Sequence, residues 1–229
     1  MKLFDATHLI TVLIVLGVIT FVVGVARCKG VETARKWGRW IGIGFPIYYL
    51  LESIFRYTVW HIEIIVLLPI ELCSILFFIG AYAHLKRSAT AAEIVYLWTC
   101  AGTIHTLITP TPDDIFPSIE YVRYFLSHGL LIFNAFYILI ALRVSITFKS
   151  VLRAYGAFLG WLLFVGLIDW IFHRNFMFLR AKPYVASPMD WFGPWPIYLF
   201  TVQILVIASF VIWWGLAVLI RRKFPVTPD

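Results

Sequence analysis

The sequence predicts an all-α, polytopic membrane protein with seven transmembrane helices, its N-terminus outside and its C-terminus in the cytoplasm. Three observations predict it. Of the 229 residues, 62% are hydrophobic and only 14% are charged, too apolar a balance for a soluble domain. Seven apolar runs reach the roughly 20 residues of helix that a bilayer requires. Lysine and arginine fall almost entirely at alternate ends of those runs.

The runs are 9–26, 41–60, 64–85, 91–109, 120–142, 151–172 and 197–220. They lack the dyad alternation of an outer-membrane barrel, and backbone groups in lipid must be satisfied within each segment, so they are helices. The first run is longer than a signal-peptide core. No small-x-small cleavage site leads from it into a soluble domain, so it counts as a helix. Little sequence remains between runs, which predicts one membrane domain over 1–229 with no soluble module.

Orientation follows from the basic residues. Arg27, Lys29, Arg35, Lys36 and Arg39 follow the first run, Lys86 and Arg87 the third, and Arg143, Lys149 and Arg153 flank the fifth-to-sixth connection. Arg221, Arg222 and Lys223 close the last run, whereas the other side holds Lys2, Arg174, Arg180 and Lys182. The net charge of +7 is therefore a topology signal. Because the basic residues lie at helix ends and not along one face, nucleic acid is not an expected partner; membrane lipids are. Three cysteines do not make a disulfide framework.

The connections predict a tight hairpin between Trp60 and Ile64, and a stiff turn at Pro110, Pro112, Asp113 and Asp114. Between His173 and Pro196, a long aromatic segment carries Phe176, Phe178, Tyr184, Trp191, Phe192 and Trp195. Such a segment fits either an interfacial lid or an ordinary aromatic belt. No internal repeat is visible, which counts against inverted-repeat transporters.

The candidate site consists of polar groups inside these runs, where each titratable side chain costs on the order of 2.5–3.5 kcal/mol. Counting about 1.5 Å per residue from the outer helix ends puts Glu52, Glu71, Cys73, His105 and His128 within roughly 6–14 Å of that surface. Glu52 and Arg56 are four apart on one face, a spacing that suits an ion pair within the bundle or a ligand contact. Arg123 near the interface either snorkels to headgroups or holds a phosphate or carboxylate, and Ser127 shares its face. Cys73 and His128 are singled out as a candidate catalytic pair, since a thiol needs a base within reach and both lie at one depth. That contact requires the third and fifth runs to be neighbours. Pro69, four residues before Cys73, predicts a bend that opens room beside the thiol. His105, His128, Glu52 and Glu71 also include metal-ligand types, but no H-x-x-x-H or H-x-x-E-H spacing occurs, so no metal or other cofactor is expected.

Several segments carry a resemblance: Leu68-Pro-Ile-Glu-Leu-Cys73, Ala101-Gly-Thr-Ile-His-Thr-Leu-Ile-Thr-Pro110, Phe125-Leu-Ser-His-Gly129, Asn175-Phe-Met-Phe-Leu-Arg-Ala-Lys-Pro183 and Gly193-Pro-Trp-Pro196. In this order they resemble the YwaF-like bacterial integral membrane proteins. That family is distantly similar to transmembrane protein 164, regarded as a cysteine-dependent phospholipid acyltransferase, and more weakly to membrane hydrolases of fatty acid esters that use threonine and histidine. The resemblance implies Cys73 as nucleophile and His128 as its histidine, in a bacterial cell membrane. In relatives, histidine more often stands where this chain has Glu71. The expected function is lipid acyl transfer or ester hydrolysis by Cys73 and His128, with Glu52, Arg56, Glu71, His105, Arg123 and Ser127 binding substrate. The alternative is a seven-helix transporter or receptor-like binder of a small polar solute.

Overall fold

The computed structural model describes residues 5–110, 115–183 and 188–223, and among these the regular structure is helical throughout. Helix α1 (Ala6–Cys28) starts where Asp5 accepts a hydrogen bond from the His8 backbone N–H at 2.8 Å, an N-cap that satisfies one orphan donor. Helix α2 (Val31–Trp60) begins ten residues before the apolar run that predicts it. The basic stretch Arg35–Arg39 lies in its second and third turns and not in a loop. Nothing between Val31 and Ile41 breaks a helix, and Glu32 pairs with Arg35 one turn on.

The third run is broken. A single turn, α3 (Ile64–Leu67), is separated by Leu68–Glu71 from α4 (Leu72–Lys86). Pro69 does more than bend the rod. Leu68 before it is extended (φ −70°, ψ 148°), as a residue preceding proline prefers, and Glu71 is extended again. Helix α5 (Ala89–Trp98), capped by Ser88, continues through a π-helical stretch, Thr99–Thr103, into α6 (Ile104–Ile108). Helix α7 (Ile119–Phe136), capped by Ser118, also ends in a π stretch, Tyr137–Ala141. Helix α8 (Phe148–Phe172) opens with a reciprocal Thr147–Ser150 capping box, and α9 (Ile197–Lys223) closes the described chain.

Among the described residues, five helical segments are long and apolar enough to cross a membrane: Ala6–Cys28, Ala89–Ile108, Ile119–Ala141, Phe148–Phe172 and Ile197–Lys223. The other two predicted runs fall in α2, which carries Glu52 and Arg56, and in the broken α3–α4 rod. Burial separates centre from rim. The α5–α6 and α7 segments are more than half buried, whereas α1, α8 and α9 turn Leu13, Phe21, Leu163, Trp170 and Phe200 outward. A ring of apolar side chains around a buried centre is what lipid solvation requires.

The rods run alternately up and down. At the upper end, where α1 starts and α2 finishes, His8 Nε2 donates to Leu107 O at 2.8 Å and Tyr121 donates to Thr11 Oγ1 at 2.9 Å. At the lower end Tyr137 donates to Ala34 O at 2.7 Å and Arg27 to Ile140 O at 2.9 Å. The aromatic segment after α8 folds into two short 3-10 turns, Phe176–Phe178 and Pro188–Phe192. It is held by Asn175, whose Oδ1 accepts from Arg180 N (2.8 Å) and Ala181 N (3.0 Å). Tyr184 and the Asp113–Asp114 pair lie outside the described residues.

Below the mid-height of the bundle, fully buried Asn134 accepts a 2.7 Å hydrogen bond from buried His84. Glycines make room for this pair. A Cβ at Gly80 would lie 2.5 Å from Asn134 Nδ2, and one at Gly38 would lie 2.8 Å from His84 Nδ1. Gly80→Ala is expected to lower stability by about 1–3 kcal/mol through overpacking, read as a fall in the thermal unfolding midpoint in detergent. Gly44→Ala, with open space around it, is expected to leave the midpoint unchanged or higher. Equal midpoints for the two variants would contradict the packing described.

Candidate functional site

The break between α3 and α4 builds the site. Interrupting a helix frees carbonyls that must find donors where water is scarce. Leu67 O accepts from Tyr49 Oη of α2 at 3.1 Å, and Ile70 O accepts from Trp161 Nε1 of α8 at 3.1 Å. Glu71 is the N-cap of α4, but its carboxylate makes no cap bond and instead lies toward the Met177 backbone in the turn after α8. Glu71 is the N-cap and Leu72 the first helical residue, so Cys73 occupies the second position of a new helix. There the backbone N–H groups of Leu72 and Cys73 have no intrahelical acceptor.

The Cys73 thiol is partly buried, and its hydrogen-bond partner is Thr103 Oγ1 at 3.5 Å. Thr103 is the last residue of the π stretch that joins α5 to α6. On α7, which packs against α4, His128 Nδ1 lies 2.8 Å from Tyr124 O. A carbonyl only accepts, so Nδ1 carries the proton, and in the neutral ring Nε2 is left with a free lone pair. The Tyr124 ring stacks at a tilt on the imidazole, with centroids 4.4 Å apart.

Cys73 and His128 line one cavity of about 90 Å³, together with Ser74, Ser127, Tyr48 and Tyr49. Phe77 and Leu131 close its floor, and Glu52, Arg56 and Arg123 form its charged side. The volume admits several water molecules or a small polar group. No hydrogen bond joins Cys73 to His128 directly; they meet across this space.

The charges form a connected set. Arg123 Nη1 donates to Glu52 Oε1 at 2.7 Å, and its other edge grips Glu120, with Nε to Oε2 at 3.0 Å. Arg56 Nε is 3.7 Å from Glu52, and the Arg123 guanidinium sits 5.6 Å from the Trp60 ring centroid. The i,i+4 spacing predicted Arg56 as the partner of Glu52. The closer partner is Arg123, from another helix. With Glu52 only 10% exposed, this bridge ties α2 to α7 in poor solvent, where an unpaired charge is costly.

The remaining predicted residues are placed differently. His105 is exposed on α6 and lies off the cavity. Thr103 faces Cys73, and two further residues of helix rotate the side chain by about 200°. Glu71, at the non-helical break, is turned toward the 176–178 turn, so a depth count along a continuous helix does not locate it. Ser127 lines the cavity, but its hydroxyl proton is shared between Arg123 O (2.9 Å) and Tyr124 O (3.1 Å), which leaves lone pairs facing outward and not a donor.

Thr103, Trp161, Tyr48 and Tyr49 were not singled out by sequence. For the two tyrosines a signal existed: they precede Glu52 by four and three residues, hence on its face. Among the described residues no cluster of three histidine, cysteine or acidic side chains suits a metal ion.

No curated protein and no solved structure matches the chain. The model of the TMEM164 family matches residues 3–214, from the start of α1 into α9. With that match and five helices able to cross a bilayer, the chain is an integral, multi-pass membrane protein that belongs to the TMEM164 family.

Proposed function

We propose that this protein is an intramembrane lipid acyl-transfer enzyme with Cys73 as nucleophile and His128 as general base. The observation that carries the reading is the shared cavity. A thiol at the first turn of a helix and an imidazole with a free Nε2 face one small polar space. The family supports it, since the transmembrane protein 164 activity stated above is of this class. We further propose a YwaF-like bacterial protein of the cell membrane. In it, α2 and the broken α3–α4 rod also cross, giving seven spans with the N-terminus and the Cys73 cavity on the outer side.

In the proposed cycle an acyl ester enters laterally, with its carbonyl in the cavity and its chains in the bilayer; 90 Å³ suits the ester and not the chains. Cys73 Sγ attacks the carbonyl carbon while His128 Nε2 takes the thiol proton, directly or through one water. The tetrahedral oxyanion is stabilised by the Leu72 and Cys73 N–H groups at the start of α4. Collapse expels the lyso-lipid alkoxide, which takes the proton from His128, and leaves an acyl thioester on Cys73. A second lipid hydroxyl, or water, then attacks the thioester with His128 again as base. The new ester or free acid leaves, and the thiol is restored. Arg56 and Arg123 are suited to a lipid phosphate, and Thr103 positions the sulfur.

Cys73→Ala is expected to abolish acyl exchange in reconstituted vesicles and labelling by a thiol-directed lipid probe, with the unfolding midpoint retained. Full exchange by the alanine variant would eliminate the mechanism. His128→Ala should lower kcat by about 10²–10⁴-fold, the range of a lost general base. Thr103→Val removes the hydroxyl beside the sulfur. It is expected to cost roughly fivefold in kcat, about one hydrogen bond, with KM unchanged; a change confined to KM would assign Thr103 to binding.

A further inference from the structure

The helices that frame the Cys73 cavity, α2, α4 and α7, open a second time at the other end of the bundle. Beneath the floor of Phe77 and Leu131 comes the buried His84–Asn134 pair. Below that pair lies a cavity of about 140 Å³ lined by Arg35 of α2, His84 and Arg87 of α4, and Ser88 and Ala89 at the start of α5. Among the described residues its lining contains no acid. Glu32, which pairs with Arg35, stands outside on the exposed face of α2.

We propose that this cavity binds a phosphate group. Four features converge on it. Two guanidiniums provide fork-shaped donors that match phosphate oxygens. The first turn of α5, a ten-residue helix capped by Ser88, presents N–H groups at the positive end of its dipole. His84, 5% exposed, lines the cavity, and with its Nε2–H spent on Asn134 the neutral ring offers at Nδ1 a lone pair that accepts from a P–OH, the proton that hydrogen phosphate and phosphatidic acid carry. Arg87 holds a left-handed conformation (φ 52°) at the α4–α5 junction, where glycine would sit without strain. Arginine at that turn sets a cation on the cavity wall, against the backbone preference.

Arg221 and Arg222 on α9 are exposed, as Arg35 and Arg87 are, but they line a separate cavity with Ser145 and Thr147 in which Arg221 is engaged by the Ser145 hydroxyl. Arg35 and Arg87 differ in sharing a walled space with a buried imidazole. The chemistry recognised is a phosphate, carried by the headgroup of an anionic phospholipid or free in solution. This site is separate from Cys73, and its binding does not depend on the acyl-transfer reading.

The test uses the full chain in detergent, titrated with inorganic phosphate and, separately, with dioctanoyl phosphatidic acid, following the thermal unfolding midpoint. Wild type and Cys73→Ser are expected to give the same saturable rise. The double variant Arg35→Gln/Arg87→Gln should bind at least tenfold more weakly. Ser88→Asp keeps an N-cap but places a carboxylate in the cavity, so it should weaken binding as much and guards against misfolding of the double variant. Arg221→Gln/Arg222→Gln removes the same charge nearby and should stay within twofold of wild type. Saturation by both probes, in competition, identifies phosphate itself as the ligand; saturation by the lipid alone identifies a headgroup. No saturable response to either probe, or equal weakening in the Arg221/Arg222 control, overturns the proposal.

Discussion

Carbonyl oxygens freed inside an apolar bundle have to be given donors, and the break after Leu67 exists because two are supplied. Tyr49 reaches Leu67 O from α2, and Trp161 reaches Ile70 O from α8. Each unsatisfied carbonyl in such surroundings would cost several kcal/mol. Since the donors arrive from helices on different sides, the four-residue gap is fixed in space. The starting point of α4 is fixed with it. Everything proposed for Cys73 depends on this: the unbonded N–H groups beside it, its approach to Thr103, and its exposure to the space that His128 also faces. A continuous helix through Pro69 would remove all three together.

The three helices α2, α4 and α7 are layered from top to bottom. Charged and polar groups come first, then an aromatic and aliphatic floor at Phe77 and Leu131, then the His84–Asn134 pair, then arginines. Polar layers between apolar ones demand close backbone approach wherever a bulky polar pair must fit. Gly38 and Gly80 grant it at the level of His84 and Asn134.

Much of this was legible in the sequence, and the failures have physical causes. Apolar length located α1, α5–α6, α7, α8 and α9 to within a few residues, because lipid imposes that length. It missed the first ten residues of α2, where charge was read as loop although nothing there breaks a helix. Depth counted at a fixed rise brought Glu52, Cys73 and His128 to one level, and the structure has these three around one cavity, with Arg56 and Arg123 on its charged side. The same count misled for His105, since rise says nothing about which way a side chain faces, and for Glu71, since the rise is not helical there. Pro69 was readable as a bend, but the extent of the gap depended on Tyr49 and Trp161, which are distant in sequence. The π stretches, which shift the register at Thr103 and Tyr137, left no readable mark. In the lower half of the bundle His84 was missed because it falls at the end of its apolar run.

Arg123 sits between two carboxylates, with Glu120 on its own helix and Glu52 on α2. The pull across the gap between α2 and α7 at that height is therefore electrostatic, and an electrostatic latch can be picked by a rival. An anionic guest arriving at Arg123 competes with Glu52 for the same guanidinium, so its entry and the loosening of α2 from α7 become one event. An uncharged guest offers no such exchange and leaves the ion pair as it is. On the proposed acyl-transfer reading, such an exchange would discriminate by charge ahead of the chemistry at the sulfur.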